Sequence, residues 1–163
     1  MTYLLDANTF MEASRLYYGF DFAPGFWTWL RNSGNSGRVH SISQVKSEIT
    51  AGTGDLVSWA NAMPDDDFWL PDTAESIAHV SVLSAWADDP ARPYRDYAVA
   101  EFLGSADLRL IAQAQAIGAT LVTREKPEPL SKKRVKIPDV CNAHGVQWSE
   151  PFAVYKKLGL CLR

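Results

Sequence analysis

Residues 1–10, MTYLLDANTF, run apolar through Tyr3, Leu4 and Leu5 and then stop at a carboxylate, Asp6. Asn8 and Thr9 follow at once, and Phe10 and Met11 restore apolar character. Thr2 to Leu5 read as a short strand. Two roles then compete for Asp6. A carboxylate after a strand caps the next helix, or it serves as the first ligand of a metal site. Asp6 interrupts a strand that belongs in the interior, so it invites explanation more than an acidic residue in a helix does.

Working outward, the same strand-then-helix alternation recurs. Asn8 to Tyr17 fit a helix with Phe10, Met11 and Leu16 available to the core. GFDFAPGFWTWL reads as a loop and then a helix from about Gly25. Arg38 to Ile42 form the next strand pattern, and Ser43 caps a helix in which Val45 and Ile49 share one face. Asp55 caps LVSWANAM. Asp72 with Glu75 predicts a capping box ahead of TAESIAHVSVLSAWA. Tyr94 to Leu103 keep a helical period. Ser105 opens ADLRLIAQAQAIG, with Gly118 placed to end it. Ala119 to Thr123 and Val146 to Trp148 read as strands, and Pro151 opens a last helix. Strands separated by helices predict a three-layer α/β/α sandwich around a central, mostly parallel sheet, with residues 1–163 as a single domain.

The whole-chain numbers are compatible with this. At 163 residues the chain is long enough for one substantial core. No apolar run approaches a bilayer span, and no basic segment or cleavage site marks a signal peptide, so the expected location is cytoplasmic with no membrane partner. Cys141 and Cys161 lack CxxC or zinc spacing, and His40, His79 and His144 lack HxH or HExxH spacing, so zinc is not expected. The net charge of −3 argues against a dedicated nucleic-acid binder on average. The charge is uneven, however. Arg124, Lys126, Lys132, Lys133, Arg134 and Lys136 crowd one stretch, which is either a solvated loop or a surface for phosphates.

In parallel sheets, sites form beyond the carboxyl ends of the strands. Four acidic residues are expected at that edge. Asp6 ends the first strand, Glu48 lies about one and a half turns into the Ser43 helix, Asp107 sits in the first turn of the Ser105 helix, and Glu125 follows ATLVT. Carboxylates gathered together raise one another's pKa unless a cation joins them. Mg²⁺ or Mn²⁺ would relieve the repulsion and activate water for attack on a phosphodiester. Taken singly, Asp107 reads as a favourable charge at a helix N-terminus and Glu48 as a solvated helix residue.

YLLDANTF, QVKSEI, SADLRLIAQA and ATLVTRE, in that order, resemble the four blocks of the PIN-domain nucleases, and the match spans nearly the whole chain. YLLDANTF, YYGFDFAPGFWTWL, LVTREKPEP and VKIPDVCNAHG also resemble the PIN-like branch called DUF4411. Families of this kind often act as VapC-like toxins of toxin–antitoxin pairs. The resemblance implies a Mg²⁺- or Mn²⁺-dependent endoribonuclease with Asp6, Glu48, Asp107 and Glu125 as catalytic metal ligands. It also implies an RNA substrate, a cognate antitoxin and, as often among relatives, a homodimer. PIN domains often carry Asp at the fourth place, as TRD, where this chain has Thr123-Arg124-Glu125. The longer Glu side chain leaves Asp139 in VKIPDVC as the competing fourth ligand, its other reading being a cap for the short turn DVCNAHG. Asn8 and Thr123 are candidates for supporting hydrogen bonds. Arg124, Lys126, Lys132, Lys133 and Arg134 are candidates for RNA phosphates.

Tyr17, Tyr18, Phe20, Phe22, Phe26, Trp27 and Trp29 serve core packing or a partner-covered surface, with base stacking as the alternative. Two other functions compete. A strand-end Asp phosphatase of the haloacid-dehalogenase kind would use Asp6 as nucleophile, but it wants Asp where this chain has Asn8. A PIN-like RNA- or protein-binding module with a degraded site would need no working fourth acid.

Overall fold

A computed structural model describes residues 1–163. Its sheet has five strands, β1 (Tyr3–Leu5), β2 (Val39–Ile42), β3 (Trp69–Leu70), β4 (Thr120–Val122) and β5 (Trp148–Ser149). They lie in the order β3-β2-β1-β4-β5, and every pairing is parallel. Around it run α1 (Ala7–Glu12), continued by a π-helical turn (Ala13–Tyr17), then α2 (Pro24–Asn35), α3 (Ser43–Thr50), α4 (Asp55–Ala62), α5 (Ala74–Asp88), α6 (Asp96–Leu103), α7 (Ala106–Ile117), α8 (Ile137–His144) and α9 (Pro151–Lys157). Right-handed crossovers put α1 to α4 on one face and α5 to α8 on the other, which is the expected three-layer sandwich. The packing largely agrees: α3 meets α1 and α4, α5, α6 and α8 all meet α7, and α3 and α7 also touch across the two groups.

β1 is the middle strand, and its residues Tyr3, Leu4 and Leu5 are buried on both faces. Its register with Val39 and His40 on one side and Thr120, Leu121 and Val122 on the other leaves no free edge. Such a strand reads as a continuous apolar run, not an alternating one. The core beneath it is heavily aromatic. Phe10 packs against Trp59, Phe68 and Trp69, and the Trp69 indole N–H donates to the Ala60 carbonyl at 2.9 Å. A Cβ at Gly34 would stand 2.7 Å from the Phe68 ring, so a glycine is what lets α2 lie this close.

Several local expectations need correcting. The capping box of α5 begins one residue later than Asp72. Thr73 accepts from Ser76 N–H at 3.1 Å, and the Ser76 hydroxyl accepts from Thr73 N–H at 2.8 Å. Asp72 is instead taken by Arg109 at 2.7 Å and Gln44 at 3.0 Å. Ser43 is the first residue of α3, not its cap, and its hydroxyl reaches the Leu70 carbonyl. Gly54, with φ of 110°, precedes α4 where Asp55 was expected to cap. DVCNAHG is part of a two-turn helix, α8, with no short turn. β3 escaped the sequence reading, because two residues after an acidic stretch show no periodicity. Gly118 does end α7 in the left-handed conformation, φ 68°.

Candidate functional site

From β1 the chain steps outward to β2 and β3, and β4 and β5 lie on the other side. The strand order therefore reverses between β1 and β4, the place where parallel sheets leave a crevice at their carboxyl ends. Asp6 follows β1 there and Thr123 follows β4. The two ends are tied together, since Asp6 N–H donates to the Val122 carbonyl at 3.1 Å.

Asp6 is 2% exposed and is the N-cap of α1. Its Oδ1 accepts from Thr9 N–H at 2.8 Å and from the Thr9 hydroxyl at 2.6 Å. The cap reading is therefore correct, yet a carboxylate has lone pairs on two oxygens and capping does not exhaust them. Burial pushes the Asp6 carboxyl above the ordinary range, although hydrogen bonding from Thr123 and Thr9 favours its ionised form; nearby Glu12 adds to the rise. Thr9, three residues on from the cap, is the supporting residue that the sequence reading missed. The signal was present, because that is the spacing at which a capped helix residue donates. Asn8 is exposed and makes no hydrogen bond to Asp6.

Asp107 stands in the first turn of α7. Its carboxyl is raised to about 7, chiefly by burial, with Glu125, Asp6 and Glu48 adding to the rise against the opposing charge of Arg134. Four carboxylates from four distant segments thus act on one another. Glu48, exposed on α3, accepts a 3.3 Å hydrogen bond from Ala106 N–H at the start of α7. That contact joins the second and third acidic segments.

Glu125 completes the group. Burial raises its carboxyl, Arg134 and Lys136 oppose the rise, and Asp6 adds to it. Both oxygens are buried without a hydrogen bond of good geometry. The nearest guanidinium nitrogen, on Arg134, stands 3.6 Å from Oε1, and the Ile137 N–H also favours the ionised form. Unpartnered buried carboxylate oxygens are costly unless something positive reaches them.

Asp139 has a different setting. It is buried in the first turn of α8, and its Oδ2 accepts from Glu128 N–H at 2.9 Å. It raises Tyr94, not Asp107. The contact pins the loop between β4 and α8, which carries the basic stretch. On that loop Lys126, Lys132, Lys133 and Arg134 are exposed, and the three lysines have no acidic partner. Arg124 is occupied instead. It pairs with Glu12 at 2.9 Å, donates to the Tyr17 hydroxyl, and lies over the Tyr17 and Phe152 rings.

Most of the aromatic segment is core. Phe26 and Trp27 are buried, Tyr18 stacks on Phe26 and Phe20 on Trp27, while Phe22 is 69% exposed. An open cavity of about 510 Å³ is lined by Phe20, Trp27, Arg31 and Trp59 among others and includes none of the four carboxylates, whereas one of about 430 Å³ is lined in part by Glu48.

The donor set suits a hard divalent cation. All four groups are carboxylates, and the two Glu125 oxygens accept no hydrogen bond of good geometry, with the Arg134 guanidinium 3.6 Å from one of them. No three His, Cys, Asp or Glu side chains are placed so that they could hold a metal ion together. Mg²⁺ ordinarily keeps several waters and uses few carboxylates, so an open set of donors fits it.

The family model of the domain of unknown function DUF4411 matches residues 3–161. No curated protein matches the chain. Among solved structures, a chain of the crystal structure of VapBC2 from Rickettsia felis, bound to a DNA fragment from their promoter, is similar over 93% of this chain and 99% of its own. The identity is 16% and the TM-score 0.58, so the likeness is one of fold. Matched almost end to end by that family model, this chain belongs to the DUF4411 family.

Proposed function

We propose that this protein is a Mg²⁺- or Mn²⁺-dependent endoribonuclease that acts as the toxin of a toxin–antitoxin pair. The observation that carries the reading is the gathering of acids from distant segments: Asp6 is tied to the end of β4 through the Val122 carbonyl, and Glu48 accepts from Ala106 N–H beside Asp107. A nuclease of this kind needs clustered acids at a strand-end crevice. A bound cation would lower the pKa of a coordinated water and stabilise the leaving oxygen of the phosphodiester.

Each residue then has a part. Asp6, Asp107 and Glu125 hold the cation, with Glu48 at the open side of the cluster. Thr9 and Thr123 fix the Asp6 carboxylate by hydrogen bonding. Lys126, Lys132 and Lys133 hold backbone phosphates without reading sequence. Asp139 keeps their loop in place and is not itself a ligand. The similar VapBC2 structure is a two-protein assembly, which supports a cognate antitoxin as partner. A homodimer and a cytoplasmic location follow from the same reading; no helix is long and apolar enough to cross a membrane.

The test is cleavage of single-stranded and structured RNA by purified protein with Mg²⁺ or Mn²⁺. Cleavage should disappear with EDTA and in Asp6→Asn. Cleavage that survives both would refute the reading. The absence of any three acidic, His or Cys side chains placed to hold a metal ion together favours one alternative, a binding module with a degraded site. That alternative predicts RNA binding with no calorimetric signal for Mn²⁺.

A further inference from the structure

Arg124 sits between two residues of the acidic site, yet its side chain is bound elsewhere in the chain. On one flank, Thr123 is fully buried and its backbone N–H donates to Ser149 of β5 at 3.0 Å. On the other, Glu125 N–H donates to the Thr123 hydroxyl at 3.1 Å, which closes a tight turn. Between them the Arg124 guanidinium meets the Glu12 carboxylate at 2.9 Å and the Tyr17 hydroxyl. It lies 5.1 Å from the Tyr17 ring centre and 5.6 Å from that of Phe152. Those two rings are themselves packed edge to face, 5.1 Å apart.

The clamp depends on an irregular helix. In an α-helix of 3.6 residues per turn, residues five apart point in diverging directions. Here the turn after α1 is π-helical, with Tyr18 N–H bonded to the Ala13 carbonyl at 2.7 Å. The widened turn brings Glu12 and Tyr17 to one cation. Single π-turns are frequent at functional sites. A guanidinium suits this place because it offers a planar fork to a carboxylate and a flat face to an aromatic ring at once. A residue so engaged is poorly placed to serve as a loose phosphate contact.

We propose that Arg124 is a positioning residue for the cation site: gripped by Glu12, Tyr17 and Phe152, it locks the turn after β4 so that the next carboxylate, Glu125, stays in the acidic crevice. The inference rests on the reading of that crevice as a cation site. It assigns to Arg124 a role apart from RNA contact, and to the π-turn a reason.

The experiment is Mn²⁺ titration by calorimetry, together with hydrogen exchange at the Thr123–Glu125 turn. The proteins are wild type, Arg124→Ala, Arg124→Lys, Glu125→Gln and the double variant Arg124→Ala with Glu125→Gln. Arg124→Ala should weaken Mn²⁺ about tenfold, within the range for residues that orient ligands. Arg124→Lys, which keeps the charge but loses the fork, should lie between. The double variant should bind no more weakly than Glu125→Gln alone, because both act through one carboxylate. Additive losses, or unchanged Mn²⁺ affinity in Arg124→Ala, overturn the proposal. If Arg124→Ala does not fold, Tyr17→Phe, which removes only the hydroxyl, should give a smaller loss in the same direction; an unchanged affinity there overturns it too. Exchange needs no cation and separates the two readings. If wild type fails to bind Mn²⁺, the cation site is refuted. Faster exchange at Glu125 N–H in Arg124→Ala would then still support the lock, and unchanged exchange would refute it.

Discussion

Glu48 accepts a hydrogen bond from the backbone N–H of Ala106, 58 residues further along the chain. Ser105, at the formal N-cap of α7, makes no side-chain capping bond, and its hydroxyl donates to the Phe102 carbonyl. Glu48 therefore caps α7 from another helix, at the turn that carries Asp107. A carboxylate at a helix N-terminus is favoured by the exposed N–H groups and the helix dipole. One side chain thus serves two ends, orienting the helix that carries Asp107 and adding negative charge to the crevice.

Replacing Glu48 should separate those roles. Glu48→Gln keeps an acceptor for Ala106 N–H and should leave thermal stability nearly unchanged while weakening Mn²⁺ binding. Glu48→Ala removes the acceptor and should cost about 1 kcal/mol in addition, the usual value of a lost cap. Equal stability of the two variants in urea unfolding would contradict the capping role.

Asp139 provides a test of which acid closes the cluster. Glu125→Gln should abolish or strongly weaken Mn²⁺ binding, because its two buried oxygens accept no hydrogen bond of good geometry and the nearest guanidinium nitrogen stands 3.6 Å away. Asp139→Ala should leave Mn²⁺ affinity nearly intact and accelerate proteolysis near Glu128, whose N–H it releases. The opposite pattern in calorimetry would make Asp139 the ligand.

The metal-free protein should lose stability as pH rises. The Asp107 carboxyl is raised to about 7 in the folded chain, above its unfolded value, so the folded state holds that proton more firmly. The stabilisation is fully present below the unfolded pKa and is lost as pH rises through about 7. Melting temperatures of the apo protein should accordingly fall between about pH 4 and pH 7, and Asp107→Asn should flatten the slope. Mn²⁺ should reverse it by binding the ionised form. An apo protein that grows more stable across that window, with Asp107→Asn unchanged, would contradict this.

Removing the side chains of Lys126, Lys132 and Lys133 together should weaken RNA binding about equally for unrelated sequences. The slope of log affinity against log salt should fall by roughly 0.7 for each phosphate of a single strand that is no longer neutralised. Fluorescence anisotropy with Asp6→Asn as background keeps the RNA intact. A change confined to one sequence would mean that these residues read bases.

What the sequence disclosed tracks how local each cause is. β1 could be read because a run of buried residues needs no partner to be recognised, and Gly118 because a helix end demands a left-handed residue. The four acids could be ordered along the sheet edge because parallel topology sends every strand end there. Thr9 as a partner of Asp6 was a local signal left unused. Glu48 reaching Ala106, Arg124 reaching Glu12, and Asp139 holding Glu128 were hidden, because each joins elements whose relative placement only the tertiary packing sets. The π-turn was hidden for another reason: Asn8 to Tyr17 keeps an ordinary helical pattern, and the widening shows only in the Ala13–Tyr18 bond.

The tie between Asp6 N–H and the Val122 carbonyl also sets when the crevice can exist. During synthesis, Asp6 and Glu48 leave the ribosome well before β4 can slide in beside β1, and Asp107 shortly before it. Until residues 120–125 emerge, the middle strand has one open edge and the acids have no fourth member. An incomplete chain therefore lacks the full group of four acids. On the proposed reading as a ribonuclease, the messenger under translation would be out of danger until its last quarter had been read.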